Sequence, residues 1–422
     1  MISLDTDPST SALDAPARAA RLSLLQWRVV LLCALVAFLD GFDTQAIGPA
    51  AKAIAARLSI PMGAFGLVFS ASQVGFLIGA MVFSVLGDRF GRKRLLIAAT
   101  ATFAACSLGT ALSGSFDTLI AFRFIAGLGL GGASPNFVSL ASEYSPPVQR
   151  ARVVTTLWAA VPLGGMVAAF ASSITLPALG WQAIFIAGCA APLLLTLALV
   201  WMLPESHEIR ADTTGPDHGA RAPAPITELF SEGRAISTIW LWLASFMTWT
   251  ALIVMAFWTP SLLQKAGRSA SVAASILAFN NAGGVVGTVV VGAMLTRVRP
   301  HHALSAALCL AGLFVAAMGL ALAVPPVLAV AATCAGFFAS AAGGAILAVS
   351  ASAYPQDARA TGVGWALGFG RIGAVAGPIA IGLLIARNWP VDQLYLALAA
   401  PFLLAALFVV LLARSTPSPS QS

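Results

Sequence analysis

The feature that most constrains this chain is a series of long, charge-poor apolar segments that recurs along its length. A helix needs about 20 apolar residues to cross a hydrocarbon core of about 30 Å. Twelve segments reach that length, near residues 27–49, 66–87, 95–113, 116–141, 153–175, 181–203, 236–260, 271–296, 302–324, 326–352, 360–386 and 392–413. The pattern predicts an all-α integral membrane protein with twelve transmembrane helices.

The composition excludes a soluble fold of this length. Only 9% of the 422 residues are Asp, Glu, Lys or Arg, against roughly 25% in an average soluble domain. The cysteines lie singly inside apolar segments without a CxxC pair, and the histidines lie in connecting loops. Because no nucleophile–base or metal-ligand pattern occurs in the segments, the sequence predicts neither an enzyme nor a bound cofactor or metal.

The basic residues predict the orientation. Lys and Arg concentrate in cytoplasmic loops, and placing both termini in the cytoplasm puts sixteen of the 23 on that side and five on the other. The first 25 residues lack a cleavable signal pattern. We therefore expect a multi-pass protein of a cell membrane, a bacterial inner membrane, with both termini cytoplasmic. This topology accounts for the net charge of +7, so no nucleic-acid partner is expected.

One polar segment divides the chain. Residues 204–235 separate the sixth and seventh apolar segments and contain four prolines and charges of both signs, a composition typical of a linker. The predicted organisation is a cytoplasmic arm over 1–26, a six-helix bundle over 27–203, a cytoplasmic linker over 204–235, a second six-helix bundle over 236–413 and a cytoplasmic tail over 414–422.

The two halves resemble each other after their second segment. Residues 84–94 read SVLGDRFGRKR and residues 292–300 read GAMLTRVRP, and both change from apolar to basic at the same point. A repeat of two six-helix halves is a transporter architecture whose site lies between the halves near the bilayer midplane. No ATPase motif occurs, so an ion gradient would supply the energy.

Three motifs resemble the major facilitator superfamily. They are DRFGRKR at residues 88–94, the signature of the loop between spans two and three, RFIAGLG at 123–129 in span four, and PES at 204–206 after span six. The resemblance implies two six-helix bundles around a central cavity, working by alternating access. Two positions depart from the pattern: Ser84 stands for a glycine, and Thr296 stands for the acid in the second copy, which implies a smaller contribution of that loop to gating.

Within the superfamily, two stretches resemble the aromatic acid:proton symporters. One is DGFD at residues 40–43, and the other is RATGVGWALGFGRIG at 359–373, followed by Gly377 and Pro378. The resemblance implies proton-coupled uptake of an aromatic carboxylate such as a hydroxybenzoate, with the proton as the coupling ion. The sequence does not name the acid.

Asp40 and Asp43 are candidates for proton coupling. They lie three residues apart and share a helix face, and a carboxylate in the membrane is costly unless it has a function or a partner. Because no histidine lies in a span, the proton carrier is expected to be Asp40, Asp43 or Glu143. The alternative is a structural pair satisfied by hydroxyls or an arginine.

Two arginines lie within spans. Arg371 is near the midplane, where its forked guanidinium would bind a substrate carboxylate; alternatively, it is a buried partner of a span-one aspartate. For Arg123, the resemblance implies a role in proton coupling, and we also expect it to help Arg371 hold the anion. The alternative for Arg123 is a structural tie between spans one and four.

A charged set near the inner ends of the spans is predicted to form a gate, and its members are Asp88, Arg89, Gly91, Arg92, Arg359 and Glu143. Asp88 against the N-terminus of span eleven would be favoured by the helix dipole and would hold the inner side shut. The alternative is that the basic residues only set the topology.

Several uncharged side chains could line a cavity. Trp365 and Trp249 lie inside spans and could stack on a benzoate ring, although helix packing explains them equally well. The mid-span amides Asn136, Gln73, Asn280 and Asn281 could bind substrate or bond across helices. We select Trp365, Asn280 and Asn136 with Arg371 and Arg123 as the substrate-binding set.

The predicted function is proton-coupled uptake of a small aromatic carboxylate by a monomer in the lipid bilayer. Three alternatives stay open at this point. They are a proton-driven exporter of drugs or metabolites, a symporter of a non-aromatic organic acid, and a non-transporting sensor built on a transporter frame.

Overall fold

The computed structural model describes residues 22–204, 226–231, 233–294, 299–355 and 357–415. Within these residues, twelve helices are long and apolar enough to cross a membrane. Those of the first half are α1 (Leu24–Arg57), α2 (Phe65–Phe90), α3 (Arg92–Ala111), α4 (Phe116–Glu143), α5 (Arg150–Leu179) and α6 (Gln182–Met202). Those of the second half are α7 (Ala235–Lys265), α8 (Ala270–Met294), α9 (Pro300–Leu320), α10 (Pro325–Ser352), α11 (Arg359–Ala386) and α12 (Val391–Ser415).

Three short 3₁₀ segments precede helices. They are Met62–Ala64 before α2, Pro147–Gln149 before α5 and Ile226–Phe230 before α7. Among the described helices, α1 and α4 begin with capping boxes. In each box, the serine side chain (Ser23 or Ser115) accepts a hydrogen bond from the backbone N–H three residues ahead, and the side chain of that residue accepts one from the serine backbone N–H. Each box satisfies two backbone donors that a helix start otherwise leaves unpaired.

Two helices extend beyond their predicted apolar segments. The hydropathy pattern ends the first span near residue 49 and the seventh near residue 260, whereas α1 reaches Arg57 and α7 reaches Lys265. The hydrogen bonds of a helix join backbone groups and do not depend on the polarity of the side chains. Polar residues therefore end an apolar segment without ending the helix. These extensions carry contacts that join the two halves.

The helices of each half pack in the same order. In the first half, α1 packs on α5, α2 on α4, and α3 on both α4 and α6; in the second half, α7 packs on α11, α8 on α10, and α9 on both α10 and α12. Each pairing of the first half recurs six helices later. The predicted fold class, two six-helix bundles with twelve transmembrane helices, is confirmed.

The halves meet mainly through α5 with α8, α2 with α11, and α1 with α7. At one end, Gly63 and Gly66 lie so near α11 that a Cβ on Gly66 would lie 2.6 Å from the carbonyl oxygen of Pro378. There, the Ser70 hydroxyl donates to the Val375 carbonyl at 2.6 Å, and the Gln264 amide donates to the Pro49 carbonyl at 3.2 Å. We call this the closed end.

The opposite end of the α2–α11 pair is more open. A Cβ on Gly364 or Gly368 would meet no heavy atom within 4 Å, although both glycines lie on α11 between its start and its centre. The Asp88 side chain, near the end of α2, is 68% exposed. We call this the open end, and it contains the charged set of the predicted gate.

Several predictions fall outside the described residues. They concern the arm before residue 22, residues 205–225 of the linker, the Thr296-Arg297 pair of the second repeat copy, and the tail after residue 415. The predicted domain limits therefore stay predictions.

Candidate functional site

An ion pair lies in the core of the first half. Asp43 on α1 and Arg123 on α4 are each 1% exposed, and the Arg123 Nη1 atom lies 3.2 Å from the Asp43 Oδ2 atom. The Arg123 Nη2 atom also donates to Asp43 Oδ1 at 3.4 Å. The guanidinium therefore faces both carboxylate oxygens, a geometry that lysine cannot reproduce.

Arg123 also contacts two further helices. Its Nε atom donates to the Thr110 hydroxyl on α3 at 3.2 Å, and its guanidinium lies 5.5 Å from the Phe185 ring centroid on α6. The Thr110 hydroxyl in turn donates to the Cys106 carbonyl. One buried cation thus joins four helices of the first half.

Asp40 has a different environment from Asp43, although the two share the α1 sequence motif. Asp40 is 5% exposed, and its Oδ1 atom accepts a hydrogen bond from the Thr44 hydroxyl at 3.2 Å. It interacts electrostatically with Arg371 of the second half. The two aspartates therefore interact with different arginines, Asp43 with Arg123 and Asp40 with Arg371.

Arg371 lies between aromatic rings from both halves. Its guanidinium carbon is 4.2 Å from the ring centroid of Phe76 on α2 and 4.5 Å from that of Trp249 on α7. Such cation–π contacts hold a planar cation without neutralising it. The arginine is therefore oriented by the two halves at the centre of the interface.

The charge of Arg371 has no acidic partner at ion-pair distance. Among the residues that the structure describes, no carboxylate oxygen lies within 4.0 Å of its guanidinium. The side chain is only partly buried, and it lies on α11 just beyond the two glycines of the open end. The site thus presents a positioned cation with the capacity to bind an anion.

A reciprocal amide pair joins the halves beside this site. Gln45 on α1 and Asn281 on α8 each donate to the other's side-chain oxygen at 2.8 Å, and a Cβ on Gly165 of α5 would lie 2.5 Å from the Gln45 amide nitrogen. Of the pair, only Asn281 belongs to the amides singled out in the sequence. The position of Gln45 two residues after Asp43 was the available signal.

Two amides of the predicted substrate-binding set lie at helix contacts. Asn136 donates to the carbonyls of Gly132 at 2.8 Å and Phe83 at 3.4 Å, which joins α4 to α2. Asn280 donates to the Ala332 carbonyl at 3.1 Å, which joins α8 to α10. Their substrate roles stay predictions. The hydrogen bonds that each amide donates in the described structure go to groups of its own half.

Trp365 lies toward the open end. It is 44% exposed and stacks on Trp242 of α7 with ring centroids 5.7 Å apart. Trp249, its alternative in the sequence, is the tryptophan that contacts Arg371. The sequence offered no signal for Phe76, because an apolar ring in an apolar span has no distinguishing context.

Part of the predicted gate is assembled within the first half. Arg92 pairs with Asp88 at 3.1 Å and also with Glu143, which joins the start of α3 to the ends of α2 and α4. Gly91 links α2 directly to α3 at φ +96°, a conformation that glycine adopts without a Cβ clash.

The other gate residues are more exposed. The Arg89 guanidinium lies 5.7 Å from the centroid of the neighbouring Phe90 ring, and exposed Arg359 begins α11. In this conformation the ion pairs of Asp88 lie within its own half. Its predicted contact with the start of α11 is not formed here and stays a prediction.

No metal centre accompanies these groups. Within the described ranges, no cluster of three or more His, Cys, Asp or Glu residues could hold a metal ion. The chemistry of the site is that of fixed charges, exchangeable protons and aromatic faces.

Comparison with known proteins agrees with this architecture. The 4-hydroxybenzoate transporter PcaK of Pseudomonas putida is 36% identical over 415 residues, covering 92% of this chain and 93% of the relative. The gallate transporter of Pseudomonas putida is 32% identical, covering 91% of each chain.

A solved structure shares the fold at low sequence identity. The bacterial homologue of the human lysosomal transporter Spinster, in an inward-facing and occupied conformation, superposes with a TM-score of 0.77 at 20% identity, covering 95% of this chain and 100% of that chain. The family model of the Major Facilitator Superfamily matches residues 33–326. With the repeated six-helix packing and the near full-length relatives, these matches identify the chain as a member of the major facilitator superfamily.

Proposed function

We propose that this protein takes up a small aromatic carboxylate together with a proton by alternating access. It works as a monomer in a bacterial inner membrane, with both termini cytoplasmic and no cofactor. The observation that carries the proposal is Arg371, a planar cation that rings of both halves hold and that has no acidic partner at ion-pair distance among the described residues.

The substrate class follows from what surrounds that cation. A guanidinium fork binds a carboxylate through two parallel hydrogen bonds, and the flanking rings of Phe76 and Trp249 offer faces on which a benzoate ring can stack. Relatives named as transporters of 4-hydroxybenzoate and gallate support the same substrate class. An anion bound to Arg371 contacts groups of both halves, so its binding affects how they move.

We assign proton coupling to the two aspartates of α1. Asp40 interacts with Arg371, the group that the substrate carboxylate would also bind, so substrate and Asp40 compete for one cation. Asp43 is paired with Arg123, and protonating Asp43 would remove that attraction and loosen the contact between α1 and α4. Arg123 thus links the proton to helix movement.

The gate acts at the open end, which is cytoplasmic in this proposal. In the opposite state, the closed end separates and Asp88 moves toward the N-terminus of α11, where the helix dipole favours a carboxylate. Arg89, Arg92 and Arg359 supply the surrounding positive charge, and Glu143 anchors Arg92. The cycle alternates between these two closures.

The test is uptake of radiolabelled 4-hydroxybenzoate into proteoliposomes, with and without an inward proton gradient. The comparison is between wild type, Asp43→Asn and Asp392→Asn, the last being an exposed carboxylate in the first turn of α12. We expect gradient-driven accumulation that a protonophore abolishes, that Asp43→Asn lacks and that Asp392→Asn keeps.

Other outcomes contradict specific parts of the proposal. Efflux of another compound driven by the proton gradient, without uptake of any benzoate, would identify an exporter. Accumulation that is equal with and without the gradient would show that uptake is not coupled to protons, while the proposed substrate class would stand.

A further inference from the structure

The contacts between α2 and α11 define which residues share a level with Arg371. Gly66 lies against Pro378, and Ser70 donates to the Val375 carbonyl, so numbers rise along α2 as they fall along α11. One further turn brings Gln73 to the level of Arg371. Trp249 of α7 completes this level, because its indole lies against Gly370 of α11.

Two polar atoms at this level have no hydrogen-bond partner among the residues that the structure describes. Gln73 is 4% exposed, and its Oε1 atom is buried without a hydrogen bond; the buried Nε1 atom of Trp249 also has none. Most buried polar side-chain atoms have a partner, so each exception calls for a reason. Here both exceptions lie at the level of Arg371, one of them on each half of the protein, and the Trp249 ring also contacts the guanidinium.

We infer that Gln73 and Trp249 form a subsite that binds a ring hydroxyl of the aromatic acid. This inference rests on the proposed function. A phenolic hydroxyl donates one hydrogen bond and accepts others. The Gln73 carbonyl oxygen accepts, and the Trp249 indole N–H donates, so the two unpaired atoms match both capacities of one hydroxyl. The carboxylate binds Arg371, and the ring lies along the flanking aromatic faces.

The subsite explains a preference that Arg371 cannot provide. A guanidinium binds the carboxylate of benzoate and of hydroxybenzoate alike, since that group is common to both. Polar groups left unpaired by an unsubstituted ring disfavour that ring, whereas a hydroxylated ring satisfies them. The geometry thus separates recognition of the acid from recognition of its ring substituent.

The test compares 4-hydroxybenzoate and benzoate in gradient-driven uptake by proteoliposomes. Gln73→Met removes the amide at similar volume, and Trp249→Phe keeps a ring under the guanidinium but removes the N–H. The matched control is Trp242→Phe, the same change nearer the open end, where the indole stacks on Trp365 and lies outside the level of Arg371.

We expect Gln73→Met and Trp249→Phe each to raise the KM for 4-hydroxybenzoate about tenfold, the equivalent of one hydrogen bond. The KM for benzoate should change less than about twofold, and the control should behave as wild type. Retained benzoate uptake also shows that each variant is folded.

Three results would overturn the subsite. Equal losses of uptake for both acids would show that Gln73 and Trp249 act in packing or in binding the carboxylate. Unchanged kinetics for both acids would show that neither residue contributes to the site. A selective effect in only one variant would refute the donor–acceptor pairing. If the wild type itself accumulates neither acid, the proposed function fails first, and this is seen without any variant.

Discussion

The two arginines inside the spans have opposite environments. Arg123 is 1% exposed and faces both oxygens of Asp43, whereas Arg371 is partly buried and held by the faces of Phe76 and Trp249. Each is positioned by other groups, but within the described part of the chain only Arg123 is neutralised at ion-pair distance by a carboxylate.

The difference separates two uses of a buried cation. A compensated cation in one half stabilises the packing of that half, and removing one partner leaves the other charge buried alone. A cation held by aromatic faces between halves keeps its attraction for a ligand. Stability should therefore depend on Arg123 and transport on Arg371, and each of the following variants tests one side of that contrast.

The largest expected effect is on stability, in Arg123→Met. The variant leaves the Asp43 carboxylate buried without its cation, and breaking a buried pair in this way costs roughly 3–5 kcal/mol. SDS-induced unfolding in mixed micelles measures the free energy of unfolding. The double variant Arg123→Met with Asp43→Leu should recover most of the loss, and a double variant as unstable as the single one would show that the ion pair is not its source.

Arg371→Lys should abolish most transport with little effect on folding. Lysine keeps the charge but loses the planar fork and its stacking on both rings, so we expect kcat/KM for 4-hydroxybenzoate uptake to fall at least about 100-fold. Arg387→Lys, at the exposed end of α11, is the control. Uptake within a fewfold of wild type would mean that a point charge is sufficient and the fork is not used.

Thr110→Val tests whether Arg123 stabilises the contact between α4 and α3. It removes the acceptor of the Arg123 Nε–H bond at 3.2 Å and leaves the ion pair in place, so the free energy of unfolding should fall by about 1 kcal/mol. Thr102→Val on the same helix, whose hydroxyl bonds only to the Ala98 carbonyl one turn back, should change it less. Equal effects would assign the loss to the helix and not to the arginine.

The smallest effect on stability is expected for Arg371→Met. Losing the cation–π contacts costs roughly 2 kcal/mol when the cation is desolvated, and removing a cation without an ion-pair partner offsets much of this. The free energy of unfolding should change by less than about 1 kcal/mol while uptake is lost. Destabilisation as large as that of Arg123→Met would contradict the contrast between the arginines.

Sequence reasoning reached the charged residues of the candidate site and the spans that they could join, but not the individual pairs. Asp40, Asp43, Arg123 and Arg371 could be selected because a charge within an apolar span is costly and needs a reason. Which aspartate faces which arginine could not be predicted, because Asp40 and Asp43 lie one helical turn apart and either could face either guanidinium. Amides were harder still, since Asn136 and Asn280 in the spans are compatible with both cavity lining and helix contacts.

By itself the sequence determined the class of protein, the number of spans, the division into halves and the family, because hydrophobic length and local motifs depend on residues close together in the chain. Only the tertiary structure decided that Phe76 and Trp249 lie on the two sides of the interface at Arg371, that Gln45 pairs with Asn281, and which end of the α2–α11 pair is closed. These facts depend on the register between helices whose contacting residues are more than 120 positions apart in the chain. That register is set by close packing at glycines, such as Gly66 against the α11 backbone and Gly370 against the Trp249 indole, and the pattern within a single span does not encode it.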